Sequence, residues 1–167
     1  MSAWIGVDPG MTGAIVGIRE DSSIALAWTA DREAGYFVDG EPDPRAITAR
    51  LRELADEGIV GVWVETPFAP GRIGTANAIT IGIRWGLLFG AIVAARVPVH
   101  RVTPASWSRS LLGSPPKGGW PPKAKKGAAI RVVGEMLPAL SLVPPRSRVA
   151  HDGLADAACC AIFGLRS

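Results

Sequence analysis

The chain has 167 residues, of which 48% are hydrophobic, and a formal net charge of +3. This length supports one hydrophobic core but not two ordinary domains, so we predict a single domain over residues 1–167. The only cysteines, Cys159 and Cys160, are adjacent, which strains a bridge between them and suits a reducing cytosol. No basic leader is present, and the apolar run Trp85 to Ala95 is shorter than the ~20 residues of a membrane span, so we expect a cytoplasmic protein without a membrane partner.

The first half of the chain predicts a sheet. Three strand candidates, separated by turn residues, predict an antiparallel meander: Ala3–Asp8, Gly13–Arg19 and Ser22–Ala30. Pro44–Glu57 has apolar residues at helical spacing, with Asp43 placed as its cap. Ile59–Val64 is a nearly continuous apolar run, as in a central parallel strand. Because a helix crossover links parallel strands, we expect this strand to lie beside the first one.

The second half predicts one further strand and several helices. The long apolar segment Thr75–Ala95 has glycines at every fourth position, Gly82, Gly86 and Gly90, on one helix face. This bare face indicates either packing on the protein's own sheet or a helix pair at a dimer interface. The remaining elements are a strand at Val97–Val102, helices at Pro104–Leu112, Lys123–Leu137 and Asp152–Leu165, and a loop at Gly113–Pro122. The order β-β-β-α-β-α-β followed by helices predicts an α/β fold with a mixed five-stranded sheet flanked by helices.

Four carboxylates lie at the ends of buried elements. Asp8 closes the first strand and Glu65 closes the central strand, so both side chains should emerge at one edge of the sheet, where α/β proteins place their sites. Asp152 and Asp156 are four residues apart and share one helix face. Such acids repel each other unless a cation lies between them, and oxygen ligands select Mg²⁺ or Mn²⁺. Taken singly, each of three acids is better explained by a structural role: Asp8 as a turn residue, Asp152 as a helix N-cap and Asp156 as a solvated residue. Glu65 ends so apolar a strand that it needs a partner.

Positive charge is concentrated in the second half. Residues 96–148 hold ten Lys or Arg and one acid, whereas residues 1–95 hold twelve acids and seven bases. A basic region of this kind is typical of nucleic-acid binding, although solvated surfaces look similar. The candidates are Lys117 and Trp120 in the loop and Lys123, Lys125 and Lys126 at the next helix start. We predict phosphate contacts for the lysines and base stacking for the tryptophan; the alternative is a solvated helix start.

Three acidic motifs occur in order along the chain: Ile5–Gly13, Val64–Phe68 and His151–Ala157. They resemble those of the RuvC class of Holliday-junction resolvases, in particular the compact phage-type members of the RNase H-like superfamily. The run Val102–Trp107 followed by Lys125-Lys126 resembles the segment that such proteins carry between the second and third motifs. The resemblance covers Ala3 to about Phe163. It implies an RNase H-like fold, a homodimer and Mg²⁺-dependent cutting of four-way or otherwise branched DNA.

The resemblance also implies roles for individual residues. Asp8 would bridge two Mg²⁺ ions, with Mn²⁺ as a substitute, and Glu65, Asp152 and Asp156 would complete the ligands. Phe68 matches an aromatic residue that stacks on bases near the crossover. Cellular members place the penultimate ligand three residues before the last one, where this chain has Gly153. His151 is therefore an alternative to Asp152. In-line attack by water would leave 5′-phosphate and 3′-hydroxyl ends.

Three other functions are compatible with parts of the pattern. A small ATPase of the actin and sugar-kinase type has a similar first phosphate loop, but it needs a second lobe that this length excludes, so we expect no nucleotide cofactor. A nuclease of the same fold that processes ribosomal RNA shares the first motif, but the length and Phe68 argue against it. A non-catalytic module that binds branched DNA would show no metal-dependent cleavage.

Overall fold

The chain folds around one five-stranded sheet. The computed structural model describes residues 2–10, 13–29, 36–38, 41–67, 74–143 and 148–167. The strands are β1 (Ala3–Asp8), β2 (Ala14–Arg19), β3 (Ile24–Thr29), β4 (Phe37–Val38), β5 (Glu41–Pro42), β6 (Ile59–Glu65) and β7 (Val99–Val102). The helices are α1 (Pro44–Glu57), α2 (Thr75–Ala94), α3 (Pro104–Leu112), α4 (Pro122–Met136) and α5 (Asp152–Leu165).

The order of strands in the sheet is β3-β2-β1-β6-β7. Strands β1 to β3 pair antiparallel, and β6 pairs parallel with both β1 and β7. The predicted meander, the parallel pairing of the first and central strands and the mixed five-stranded sheet are therefore confirmed. The predicted start of the third strand at Ser22 is wrong, because Ser22 has a φ of 64° and donates its N–H to the Arg19 carbonyl in a turn. The antiparallel pair formed by the two-residue strands β4 and β5 was not predicted.

Helices cover both faces of the sheet. Because side chains alternate along a strand, neighbouring residues of β2 enter different cores: Val16 packs with α3, α4 and α5, and Ile15 packs with α1 and α2. Helix α1 begins at the predicted cap, since the Asp43 carboxylate accepts the Arg45 and Ala46 N–H groups, and it ends at Gly58 with a left-handed φ of 107°. The result is a sheet between two helical layers, as expected for an α/β domain.

Helix α5 lies unusually close to the sheet. A Cβ atom at Gly6 of β1 would fall 1.9 Å from the Ala157 carbonyl oxygen, and one at Gly164 of α5 would fall 2.4 Å from the Trp63 ring. The helix is almost entirely buried. Gly6 thus lets the α5 backbone rest directly on β1, and Gly164 lets the Trp63 ring of β6 lie against α5.

Helix α2 presents much of its surface to solvent. Ile79, Ile83 and Val93 are 57%, 54% and 50% exposed. A Cβ atom at Gly82, Gly86 or Gly90 would meet no described atom within 4 Å. Packing of the glycine face on the protein's own sheet, one of the two interpretations of the sequence, is therefore wrong for the described residues.

By length and hydropathy alone, α2 would also suffice to cross a membrane. The apolar run counted in the sequence begins after Arg84, whereas the helix includes Arg84 and the residues before it. Arg84 is only 9% exposed, lies 3.5 Å from the Glu41 carboxylate and donates to the Gly10 carbonyl. The side of α2 that carries Arg84 therefore packs on protein. A buried charge of this kind would be unfavourable if that side of the helix faced lipid.

Candidate active site

Asp8 and Glu65 lie side by side at one edge of the sheet. In the parallel register of β1 and β6, Gly6 is opposite Trp63 and Val7 is opposite Val64, so Asp8 and Glu65 follow as the next pair. Adjacent strands are about 4.8 Å apart, which places both carboxylates at the same edge. The Asp8 carboxylate also accepts the Gly10 N–H at 2.9 Å, which fixes the turn after β1. The sequence prediction of a shared edge is confirmed.

The close seating of α5 brings two further carboxylates to this edge. Asp156 directly precedes Ala157, whose carbonyl contacts Gly6, two residues before Asp8. Asp156 is partly buried, whereas Asp152, one turn earlier, has 41% of its side chain exposed. The structure thus gathers three predicted ligands, Asp8, Glu65 and Asp156, and places Asp152 at the rim.

The carboxylates interact strongly enough to change each other's pKa. Burial, followed by the charges of Glu65 and Asp156, raises the pKa of Asp8 to about 8. Burial and Asp156 raise the pKa of Glu65 to about 7. Burial raises the pKa of Asp156 to about 6, although Lys125 opposes the shift. These raised pKa values show that the ionised carboxylates have too little positive charge around them. A cation bound among the carboxylates would supply that charge.

Two lysines of α4 approach the acids from one side. Lys126 forms an ion pair with Asp152, and the pKa of Lys126 is raised by that contact. The Lys125 ammonium lies 4.4 Å from the centre of the Trp107 ring, and its charge opposes the rise in the pKa of both Glu65 and Asp156. These two predicted DNA-binding residues therefore also compensate the charge of the acidic cluster.

The site contains one residue that the sequence did not single out. The indole N–H of Trp107 donates to Glu65 Oε2 at 2.6 Å, and Trp107 is completely buried. The sequence places Trp107 in the motif between the second and third acidic segments, but the sequence alone does not distinguish a tryptophan of the site from one of the hydrophobic core. Only the contact between α3 and the end of β6 reveals its polar partner.

The oxygen atoms of the acidic cluster determine which cation could bind there. As the side chains are placed, no three His, Cys, Asp or Glu residues within the described ranges are arranged to hold a metal ion. The carboxylates repel one another, and Asp152 is held by Lys126. The ligand atoms at the sheet edge are nevertheless all oxygens, buried and short of positive charge, which fits Mg²⁺ or Mn²⁺ better than a softer metal.

His151 has a structural role at the start of α5. Its Nδ1 accepts the Leu154 N–H at 3.1 Å, which makes it the N-terminal cap of the helix. The side chain is 9% exposed. This contact occupies one ring nitrogen in holding the helix that carries Asp152 and Asp156. The choice between Asp152 and His151 as the penultimate ligand stays a prediction.

The remaining predicted DNA-binding residues are distributed around the acids. Phe68 lies outside the described residues. Lys117 and Lys123 are exposed in the loop before α4 and in its first turn. Trp120 lines a cavity of about 340 Å³ together with Lys125, Thr103 and Ser108. Lys125 therefore lines this cavity and also acts through its charge on Glu65 and Asp156.

Comparison with known proteins identifies the fold. The sequence matches no known family model and no curated protein. The structure is similar to "T. thermophilus RuvC in complex with Holliday junction substrate", with a TM-score of 0.61 and 20% identity over 98% of this chain and 92% of that one. It is also similar to a Thermus thermophilus RuvC structure, with a TM-score of 0.56 and 24% identity over 96% and 92% of the two chains. The chain therefore has the RNase H-like fold of the RuvC structures, which confirms the fold that the motifs implied.

Proposed function

We propose that this protein is a Mg²⁺-dependent endonuclease that resolves Holliday junctions and related branched DNA. The observation that carries the proposal is a group of buried carboxylates at the sheet edge, next to the lysines of α4. These carboxylates, Asp8, Glu65 and Asp156, repel one another when ionised, which helps to raise their pKa values. The fold supports it, because one structure of this fold is a RuvC bound to a Holliday junction. A metal-dependent nuclease uses both features, since acids hold the cation and lysines attract the phosphate backbone.

The proposed chemistry is hydrolysis with two metal ions. Bound ions would supply Lewis acidity and a water molecule of lowered pKa, giving 5′-phosphate and 3′-hydroxyl ends. Asp8, Glu65 and Asp156 would hold them, and Asp152 would join on leaving Lys126. Lys126, once released, would contact a DNA phosphate, and Lys125 would keep a positive charge beside Glu65 and Asp156.

Substrate binding is proposed to use the face that carries α4. Lys117, Lys123, Lys125 and Lys126 would contact phosphates, and Trp120 would stack on a base at the cavity next to the acids. Phe68 would stack on bases at the crossover. Since the substrate is cellular DNA, we also propose a cytoplasmic location, in a bacterium or in a host infected by a phage.

The proposed assembly is a homodimer formed through α2. A four-way junction is nearly two-fold symmetric and needs two opposed cuts, which a symmetric dimer provides. The exposed isoleucines and bare glycines of α2 allow a second α2 to approach closely. Arg84, buried on the other side of the same helix, argues that this exposed face meets protein rather than lipid.

The test compares Mg²⁺-dependent cleavage of a synthetic four-way junction with cleavage of linear duplex, of an RNA-DNA hybrid and of a structured RNA. We expect preferential cutting of the junction and none with chelator. Junction binding without cleavage at any Mg²⁺ or Mn²⁺ concentration would instead identify a non-catalytic binding module. Preference for structured RNA would identify the ribosomal-RNA-processing alternative.

A further inference from the structure

Trp107 joins the acidic cluster to α3 through a single polar atom. Thr103 caps α3 by accepting the Ser106 N–H, and Pro104 opens its first turn, so the start of this helix is fixed. Trp107 follows one turn later, is completely buried and directs its indole N–H at Glu65 Oε2, 2.6 Å away. A buried indole N–H needs an acceptor, and here the acceptor belongs to the proposed metal site.

We propose that Trp107 is a positioning residue that fixes the orientation of the Glu65 carboxylate; this inference rests on the proposed function. The terminal torsion of a glutamate is broad, so an unsupported carboxylate at the end of a strand samples many orientations. The bond to Oε2 restricts that rotation and leaves Oε1 for a cation. Partners of this kind behind a metal ligand commonly change metal affinity 10- to 100-fold when removed.

The face of the same indole ring holds Lys125. The ammonium lies 4.4 Å from the ring centre, a distance at which a cation is attracted by the ring electrons. The edge of the Trp107 ring therefore holds the Glu65 carboxylate, and the face of the same ring holds the Lys125 ammonium. The charge of Lys125 in turn acts on Glu65. Replacement by phenylalanine removes the N–H but keeps a ring for Lys125, which separates the two contacts.

The competing explanation is that Trp107 only fills the core. It packs with Val102, Ala129 and Val133 among the residues between the sheet and α3 to α5. A pure packing role predicts a loss of stability on substitution without a change in metal affinity. Trp28 is the matched control, because it is 7% exposed and lies in the core on the other face of the sheet, stacked on Tyr36.

The experiment measures Mn²⁺ binding by isothermal titration calorimetry for the wild type, Trp107→Phe and Trp28→Phe. We expect Trp107→Phe to bind Mn²⁺ about tenfold more weakly. Trp28→Phe should match the wild type in affinity even if its melting temperature falls. Equal affinities for the wild type and Trp107→Phe would overturn the inference and leave the proposed function intact. A wild-type protein that binds no Mn²⁺ would overturn both.

A second comparison tests whether the effect passes through Glu65. In a Glu65→Gln background the carboxylate is absent, so adding Trp107→Phe should not weaken Mn²⁺ binding further. A further tenfold loss in that background would show that Trp107 acts elsewhere and would overturn the inference. If Trp107→Phe does not fold, the indole N–H signals of ¹⁵N-labelled wild-type protein replace it. We then expect one strongly downfield signal that shifts on addition of Mg²⁺, and an indole spectrum that Mg²⁺ leaves unchanged would overturn the inference.

Discussion

Replacement of Asp8 by asparagine should stabilise the metal-free protein at alkaline pH. The pKa of Asp8 rises from 3.8 to about 8 on folding, mainly through burial and then through Glu65 and Asp156. A carboxyl with a raised pKa binds its proton more tightly in the folded state, so this contribution to stability is complete below about pH 4 and disappears as the pH approaches 8. The neutral amide of Asp8→Asn avoids that loss.

The size of the effect follows from the shift. About four pKa units at about 1.4 kcal/mol each give an upper limit of about 6 kcal/mol. Even a quarter of this, about 1.5 kcal/mol, changes the melting temperature of a domain of this size by roughly 3 to 6 °C. With chelator present, the wild type should therefore melt several degrees lower at pH 8.5 than at pH 5.5, and Mg²⁺ should reverse the difference.

The assay is thermal unfolding at a series of pH values, with chelator or with Mg²⁺. Asp8→Asn should melt higher than the wild type at pH 8.5 in chelator and should respond less to Mg²⁺. Asp56→Asn, which changes an exposed carboxylate of α1, serves as the control and should follow the wild type. A wild-type melting temperature that does not fall with pH, or an Asp8→Asn protein that is less stable than the wild type at pH 8.5, would refute the reasoning.

Three further predictions concern DNA and assembly. The double variant Lys125→Ala, Lys126→Ala should bind a junction more weakly. A plot of the logarithm of the binding constant against the logarithm of the salt concentration should become shallower by about one for each lost phosphate contact. An unchanged slope contradicts this prediction. Phe68→Ala should slow cleavage of an intact junction by about 5- to 150-fold, because a stacked base is worth ~1 to 3 kcal/mol. Cleavage of a pre-opened flap should slow much less, and equal slowing of cleavage of both substrates argues against crossover stacking. Ile83→Glu should convert a dimer to a monomer in analytical ultracentrifugation, whereas Val38→Glu, at a similarly exposed apolar position outside α2, should not.

Long-range pairing of the strands could be predicted because it follows from local patterns. The apolar run of β6 and the helix before it require a parallel neighbour, and β1 is the strand that satisfies this. The positions of Asp8 and Glu65 then follow from where each strand ends. The hairpin of β4 and β5 could not be predicted, since two residues per strand are too few to show a period of two.

Side-chain partners could not be predicted in the same way. The bond between Trp107 and Glu65 joins residues 42 positions apart, and it depends on how α3 packs on the sheet. The cap formed by His151 depends on the turn of the chain into α5 and not on the composition of that helix. Whether the glycines of α2 face the protein or solvent depends on helix rotation, which equal spacing leaves open.

The contact between Gly6 and the α5 backbone means that this site is assembled from the first strand and the last helix of the fold. Asp8 leaves the ribosome in the first strand, whereas Asp156 arrives in the last helix, and only seating of that helix on β1 brings the two together. A growing chain that has completed its sheet still lacks Asp152 and Asp156, two of the four proposed metal ligands. On the proposed function, a chain interrupted before α5 should therefore not cleave DNA.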